Sequence, residues 1–293
     1  MAKKTKYEPK FAAGTKKKRS VRPINILIAI GATAIAVCAF GFVRDTLLRK
    51  HGQNFYSALT SEASATGETA AKPNLSDLLQ TPAPTASAAP GATAAPTEGV
   101  SEADKWKYES FVDFDKLKKA NSDIVAWIKL DGTIIDYPVY QGSDNEFYLH
   151  HLPDKTYNFM GSIFMDYRNT PDFSDQNTVF YGHNLETGDM FTALTGYKEQ
   201  KFYDDHPVYF IYTPARNYAV AIFAGYVLDS SKEAPPLIFR TEKLFNDYIA
   251  AIKNRSTFTS DVDVSWGDKL VTLATCANGY DSYRFIIVGK LIE

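Results

Sequence analysis

One thiol is the sharpest chemical signal in this sequence. Of its two cysteines, Cys38 falls inside an uncharged apolar run, so Cys276 has no disulfide partner elsewhere in the chain. Cys276 closes the apolar stretch Leu270–Thr275 and precedes the turn sequence Ala277-Asn278-Gly279, which puts the thiol at a strand rim. A cysteine so placed can be a half-buried small hydrophobe. A free thiol outside the cell, where the topology argued below puts this one, invites oxidation and needs a reason to persist.

A thiol nucleophile needs a base or a cation that favours thiolate, and histidine is the usual choice. Setting aside His51 beside the apolar run, His150, His151, His183 and His206 are available. His183 is favoured because it ends the strand-like run Thr178–Gly182, while Gly182 leaves its ring open. Attack on an amide carbonyl also builds an oxyanion, which needs fixed donors or a cation. Arg284 opens the run RFIIVGKLI eight residues after Cys276, within reach of the thiol's rim if the two strands form a hairpin. Cys, His and Arg on neighbouring strand ends would complete an acyl-transfer site, although spacing alone leaves their convergence open. The acidic loop residues Asp172, Asp175, Asp204 and Asp205 lack calcium-loop spacing, and one cysteine with scattered histidines makes no zinc pattern. With no phosphate loop or dinucleotide fingerprint, the expected cofactor and metal content is none.

The elements that must position these residues read as mostly β. Apolar runs at Ile124–Leu130, Ile134–Tyr140, Gly161–Asp166, Thr178–Gly182, Val208–Thr213, Tyr218–Leu228, Lys269–Thr275 and Arg284–Leu291, separated by turn signals, predict an eight-stranded β-barrel. A helix over Asp104–Ala120 opens the domain. A longer one, Thr241–Arg255, is inserted before the last two strands, with Thr241 as N-cap and Leu244, Phe245, Tyr248, Ile249 and Ile252 as its buried stripe. The wealth of Tyr and Phe is mostly core, although a concave aromatic groove could also grip an extended peptide.

Charge divides the chain. Residues 1–50 hold 12 Lys and Arg against Glu8 and Asp45, whereas the remainder carries 20 against 32 acids, so the formal net charge of -2 hides a basic head and an acidic body. Such a body repels phosphate backbones, which argues against nucleic acid as a partner. The head instead precedes Ile24–Val43, INILIAIGATAIAVCAFGFV, long enough to cross a bilayer. Nine Lys and Arg precede it and three follow closely, so the positive-inside rule puts residues 1–23 in the cytoplasm and the rest outside. Small residues in the run leave a cleaved signal peptide as the rival, but the length and charged exit favour an uncleaved anchor. Residues 44–103, dominated by Ala, Pro, Thr and Ser, bury too little to offset chain entropy and are expected to form a disordered spacer, with room for a short helix near Asn74–Gln80. Residues 104–293 are then an extracellular catalytic domain.

With these residues in hand, the chain resembles the sortases, specifically class B, from about Asp104 to Ile292. Thr272-Leu273-Ala274-Thr275-Cys276 is similar to the family's TLxTC signature, Asn177–Asn184 (NTVFYGHN) to its histidine segment, and the strand from Arg284 to its arginine strand. Tyr137–Gly142 (YPVYQG), Gly161–Asn169 (GSIFMDYRN) and the helix Thr241–Arg255 are further class B echoes. The resemblance implies a membrane-anchored cysteine transpeptidase. Such an enzyme cuts a C-terminal sorting signal after Thr, holds the protein as a thioacyl enzyme and passes it to an amine on cell-wall peptide or its lipid-linked precursor. Carried over by motif, Cys276 is the nucleophile, His183 the general acid/base and Arg284 the group that positions substrate and steadies the oxyanion. Asn145 and Leu149, in GSDNEFYL, fall where class B enzymes contact the sorting peptide, and Thr275 lines the site beside the thiol. The sequence departs from the pattern in Ala274, where many members have Ser, in a short gap from Cys276 to Arg284, and in a long spacer. No second span follows the last strand and no lid motif precedes the domain, so anchoring of surface proteins is expected rather than pilin polymerisation. A non-catalytic, stalked peptide-binding module is the alternative from a different class.

Overall fold

Period-two alternation decides which side chains enter the core. On β7 (Leu270–Cys276), Val271 and Leu273 join the main buried cluster, while Leu270 and Ala274 join a second cluster on the opposite face. The same division holds on β8 (Tyr283–Ile292), where Phe285 and Ile287 go to one cluster and Ile286 and Val288 to the other. With β1 (Ile124–Lys129), β2 (Asp136–Tyr140), β3 (Ile163–Met165), β4 (Asn177–His183), β5 (Val208–Tyr212) and β6 (Asn217–Asp229), these strands close into one barrel in the order β1-β2-β3-β4-β7-β8-β6-β5. Closure leaves no unpaired strand edge and lets side chains fill the interior. The pairs β2·β3 and β4·β7 are parallel and the others antiparallel.

The computed structural model describes residues 23–63, 72–80, 106–276 and 282–292. All eight expected strands are present, with ends moved by one or two residues. Helix α5 (Glu242–Arg255) covers the outer face of β6, capped by the Thr241 hydroxyl, which accepts from Leu244 N at 3.3 Å. Its buried residues are Phe245, Ile249 and Ile252, whereas Leu244, expected in that stripe, is exposed. The opening helix is shorter than expected: α3 spans Phe114–Ala120, starting where Asp113 caps Lys116 N at 2.9 Å, and Trp106 and Val112 are buried ahead of it without a continuous helix. Asp104 lies outside the described residues, as do the basic tail and the turn after Cys276. Helix α4 (Gln200–Asp205) completes the β4–β5 connection.

Helix α1 runs from Pro23 to Ala63, and its apolar part is long enough to cross a membrane by length and composition. It does not stop at Val43. The spacer expected over residues 44–103 is therefore helical to Ala63 and again in α2 (Leu75–Gln80); residues 64–71 and 81–103 lie outside the described ones. The reason is local composition: Tyr56, Ala63 and Leu78 give apolar surface that the segment's average hides, and all three are buried. Residues 48–63 belong to the same compact unit as the barrel.

Candidate active site

The ladder between β4 and β7 is parallel and continuous from Asn177↔Leu270 to His183↔Cys276. It brings the ends of two strands distant in sequence into direct register. The antiparallel ladder from β7 to β8 reaches Ala274↔Ile286, and beyond it Phe285 N donates to Thr275 Oγ1 at 2.8 Å while Arg284 Nη1 donates to the Thr275 carbonyl at 3.3 Å. Positions 183, 276 and 284 thus sit at adjacent ends of three neighbouring strands, in phase with Tyr181, Ala274 and Ile286.

His183 is 7% exposed. Its Nε2 donates to the Leu149 carbonyl at 2.6 Å, which leaves Nδ1 as the free nitrogen, buried and without a hydrogen-bond partner among the described residues. Burial pushes the His183 pKa below 6.5; the Leu149 carbonyl works in the opposite direction, and His150 and Arg284 add to the lowering. The neutral ring therefore predominates at pH 7, and its tautomer is fixed by a backbone carbonyl rather than by a carboxylate. Gly182 carries the approach: a Cβ there would lie 2.4 Å from Ile163 Cδ1 and 2.7 Å from Phe191. The reason for this glycine is thus packing on the barrel interior as much as an open ring.

The other histidines are engaged elsewhere or adjacent. His151 stacks on Phe147 with ring centres 4.1 Å apart and bonds the Phe147 carbonyl through Nδ1 at 2.7 Å, and His206 packs on Phe202 at 4.6 Å. The exposed His150 lies beside His183, ring centres 6.1 Å apart.

The residues expected to touch peptide have intramolecular partners. Asn145 donates to Asp166 Oδ2 at 3.0 Å and accepts from Tyr167 N at 3.0 Å. Leu149 gives its carbonyl to His183, and the Thr275 hydroxyl is committed to Phe285. Sequence reasoning missed the network behind Asn145. Burial would raise the Asp166 pKa, but the Arg168 guanidinium, bound at 2.9 and 2.8 Å, together with Asn145 and Tyr181, holds that carboxyl below the usual range. Tyr181, two residues before His183 on the same strand face, donates to Asp166 at 3.0 Å and stands half-exposed. Strand alternation was the signal that could have found it. No group of three or more metal-ligating side chains occurs among the described residues.

A model of the sortase domain matches residues 128–292, more than half of the chain. The chain belongs to the sortase family. Its class is equally plain: it is 40% identical over 178 residues to sortase B of Listeria monocytogenes, covering 60% of this chain and 72% of that protein. Against sortase B of Staphylococcus aureus it is 34% identical over 182 residues, covering 61% and 75%. Among solved structures, the Staphylococcus aureus sortase B–substrate complex aligns with TM-score 0.59 at 34% identity, over 61% of this chain and 84% of that one. Clostridium perfringens sortase B aligns with TM-score 0.58 at 33% identity, over 62% and 100%. This sortase is accordingly a class B cysteine transpeptidase.

Proposed function

We propose that this sortase is held in the membrane by residues 24–43, N-terminus inside, and joins secreted proteins to a cell-wall amine through a thioester on Cys276. The observation that carries the reading is the paired register of His183 and Cys276, with Arg284 bound to the carbonyl of the intervening Thr275. Cys276 Sγ gives its proton to His183 Nδ1 and attacks the carbonyl carbon of the sorting signal's Thr, and Arg284 offers a cation to the oxyanion that forms. The C–N bond then breaks, the amine leaves with a proton from His183, and the thioester remains. An incoming amine attacks it, His183 takes the amine's proton, the C–S bond breaks, and His183 returns that proton to Cys276 Sγ, leaving the free thiol, the neutral ring and a new amide.

Because Nε2 is held by Leu149, Nδ1 is the nitrogen through which His183 would carry the proton. Asn145, Leu149 and Thr275 would meet the peptide along this rim, with Tyr181 beside them. That a sortase B has been solved with substrate and another with triglycine supports a peptide donor and an amine acceptor here.

The test is cleavage of a library of fluorogenic sorting pentapeptides by the full chain, with and without triglycine. Amide product that disappears in Cys276→Ala, His183→Ala and Arg284→Ala supports the reading. Peptide binding without turnover in the wild type would replace it with a stalked binding module, and hydrolysis without amide product would replace it with a thiol hydrolase.

A further inference from the structure

The family match begins at residue 128, yet α1, far upstream, touches the support of the site histidine. Two groups on its residues 48–63 reach the chain that links β2 to β3. Asn158, wholly buried, donates from Nδ2 to the Leu48 carbonyl at 2.8 Å, while its N donates to the His150 carbonyl at 2.9 Å. Tyr56, 5% exposed, donates its hydroxyl to the Gly161 carbonyl at 2.7 Å and lies 3.1 Å from Ser162 Oγ. Between these contacts Gly52 lies tight against the loop: a Cβ would lie 2.5 Å from Met160 Sδ, so the Met160 side chain would have to shift to admit it.

Gly161 presses directly on the residue that holds the histidine. It has φ +59°, and a Cβ would lie 2.3 Å from the Leu149 carbonyl oxygen, the atom that accepts from His183 Nε2. Next to it Ser162 N donates to the Tyr148 carbonyl at 2.8 Å and Ser162 Oγ to the His151 carbonyl at 2.8 Å. Tyr56, Gly161, Leu149 and His183 therefore form a contiguous series of contacts from the helix to the imidazole. A phenylalanine would supply the same apolar packing as Tyr56; the buried hydroxyl adds direction, because it must be bonded to be tolerated there.

We propose that Tyr56 is a positioning residue for the transpeptidation reaction: by holding the Gly161 carbonyl, the helix end fixes the Leu149 carbonyl and with it the orientation and proton affinity of His183. This rests on the reading of His183 as the acid/base group.

The test compares the full chain with Tyr56→Phe and, as control, Lys116→Ala. The control removes the 3.5 Å contact between Lys116 and Glu62 of the same helix without touching the loop. Two readouts are taken: the titration of the His183 ring by carbon NMR of labelled histidines, assigned with His183→Asn, and the pH profile of kcat/KM. The Leu149 bond favours the protonated ring, so loosening it makes His183 titrate at lower pH. With it, kcat/KM falls about 3- to 10-fold through kcat, the factor one hydrogen bond commands. Lys116→Ala leaves both unchanged. Gly52→Ala, which pushes the helix against Met160 while keeping every hydrogen-bonding group, moves the titration the same way by less, and decides the matter if Tyr56→Phe does not fold. An unshifted His183 titration in a folded Tyr56→Phe chain overturns the proposal. So does an equal loss of rate in Lys116→Ala. Full activity of His183→Asn would instead overturn the acid/base reading, and the titration would still report on the positioning.

Discussion

His183 and Cys276 stand opposite one another because β4 and β7 run parallel through seven consecutive pairs, not because their segments are close in sequence. A parallel pair cannot be made by a tight turn. The chain between them builds β5, β6 and α5 before returning, and the register of the whole ladder is what delivers the last pair.

From that relationship, removal of either partner should remove the chemistry. Cys276→Ala is expected to abolish turnover, and His183→Ala to lower kcat by about 10²- to 10⁴-fold, the range general acid/base groups contribute. Arg284→Lys keeps the charge but loses the planar donor fork, and is expected to retain more activity than Arg284→Ala. Steady-state peptide cleavage with a triglycine acceptor checks all three.

The buried imidazole also shapes stability against pH. The folded pKa of His183 is lowered from 6.5 by burial, so between that folded value and 6.5 the unfolded chain binds the extra proton. Its contribution is fully present above pH 6.5 and is lost as pH falls through the folded pKa. Urea unfolding of His183→Asn at several pH values should show a flatter decline below pH 6.5 than the wild type; parallel curves would contradict the assignment.

Gly182→Ala is expected to destabilise the protein by about 1–3 kcal/mol, since the new methyl would meet Ile163 and Phe191 in the barrel interior. Thermal unfolding measures this. Because residue 183 follows directly, turnover should fall in the same variant even at temperatures where it is fully folded.

Thr275 separates a hydroxyl role from a packing role. Thr275→Val removes the acceptor for the buried Phe285 N–H, at a cost of about 1–3 kcal/mol, whereas Thr275→Ser keeps it. Denaturant midpoints should therefore rank wild type and Ser above Val. Amide exchange at Phe285 should quicken in Val alone.

Much of this was legible beforehand. Alternating apolar runs marked all eight strands, because a half-buried strand writes its two faces into every second residue. Cys276 stood out by cysteine count alone, and His183 and Arg284 by their place at strand ends. Less legible were the helical continuation to Ala63, hidden in a segment whose average composition is small and polar, and the short α3, whose start depends on the Asp113 cap. The Asp166–Arg168–Tyr181 network was missed because its members come from strand β4 and from the loop after β3.

What the amino-acid sequence determined by itself was the chemistry available and the elements to carry it: one lone thiol, a few histidines, an arginine after a turn, and strands patterned for a barrel. These are local properties, set by side-chain type and period. Which histidine stands in register with Cys276 was decided by the parallel β4·β7 ladder. That a backbone carbonyl rather than a carboxylate holds its ring was decided by the packing of Leu149 against Gly161, and the reach of α1 to that packing by the burial of Tyr56. Those relationships join residues far apart in the chain, and they exist only once loop closure and burial have brought them together.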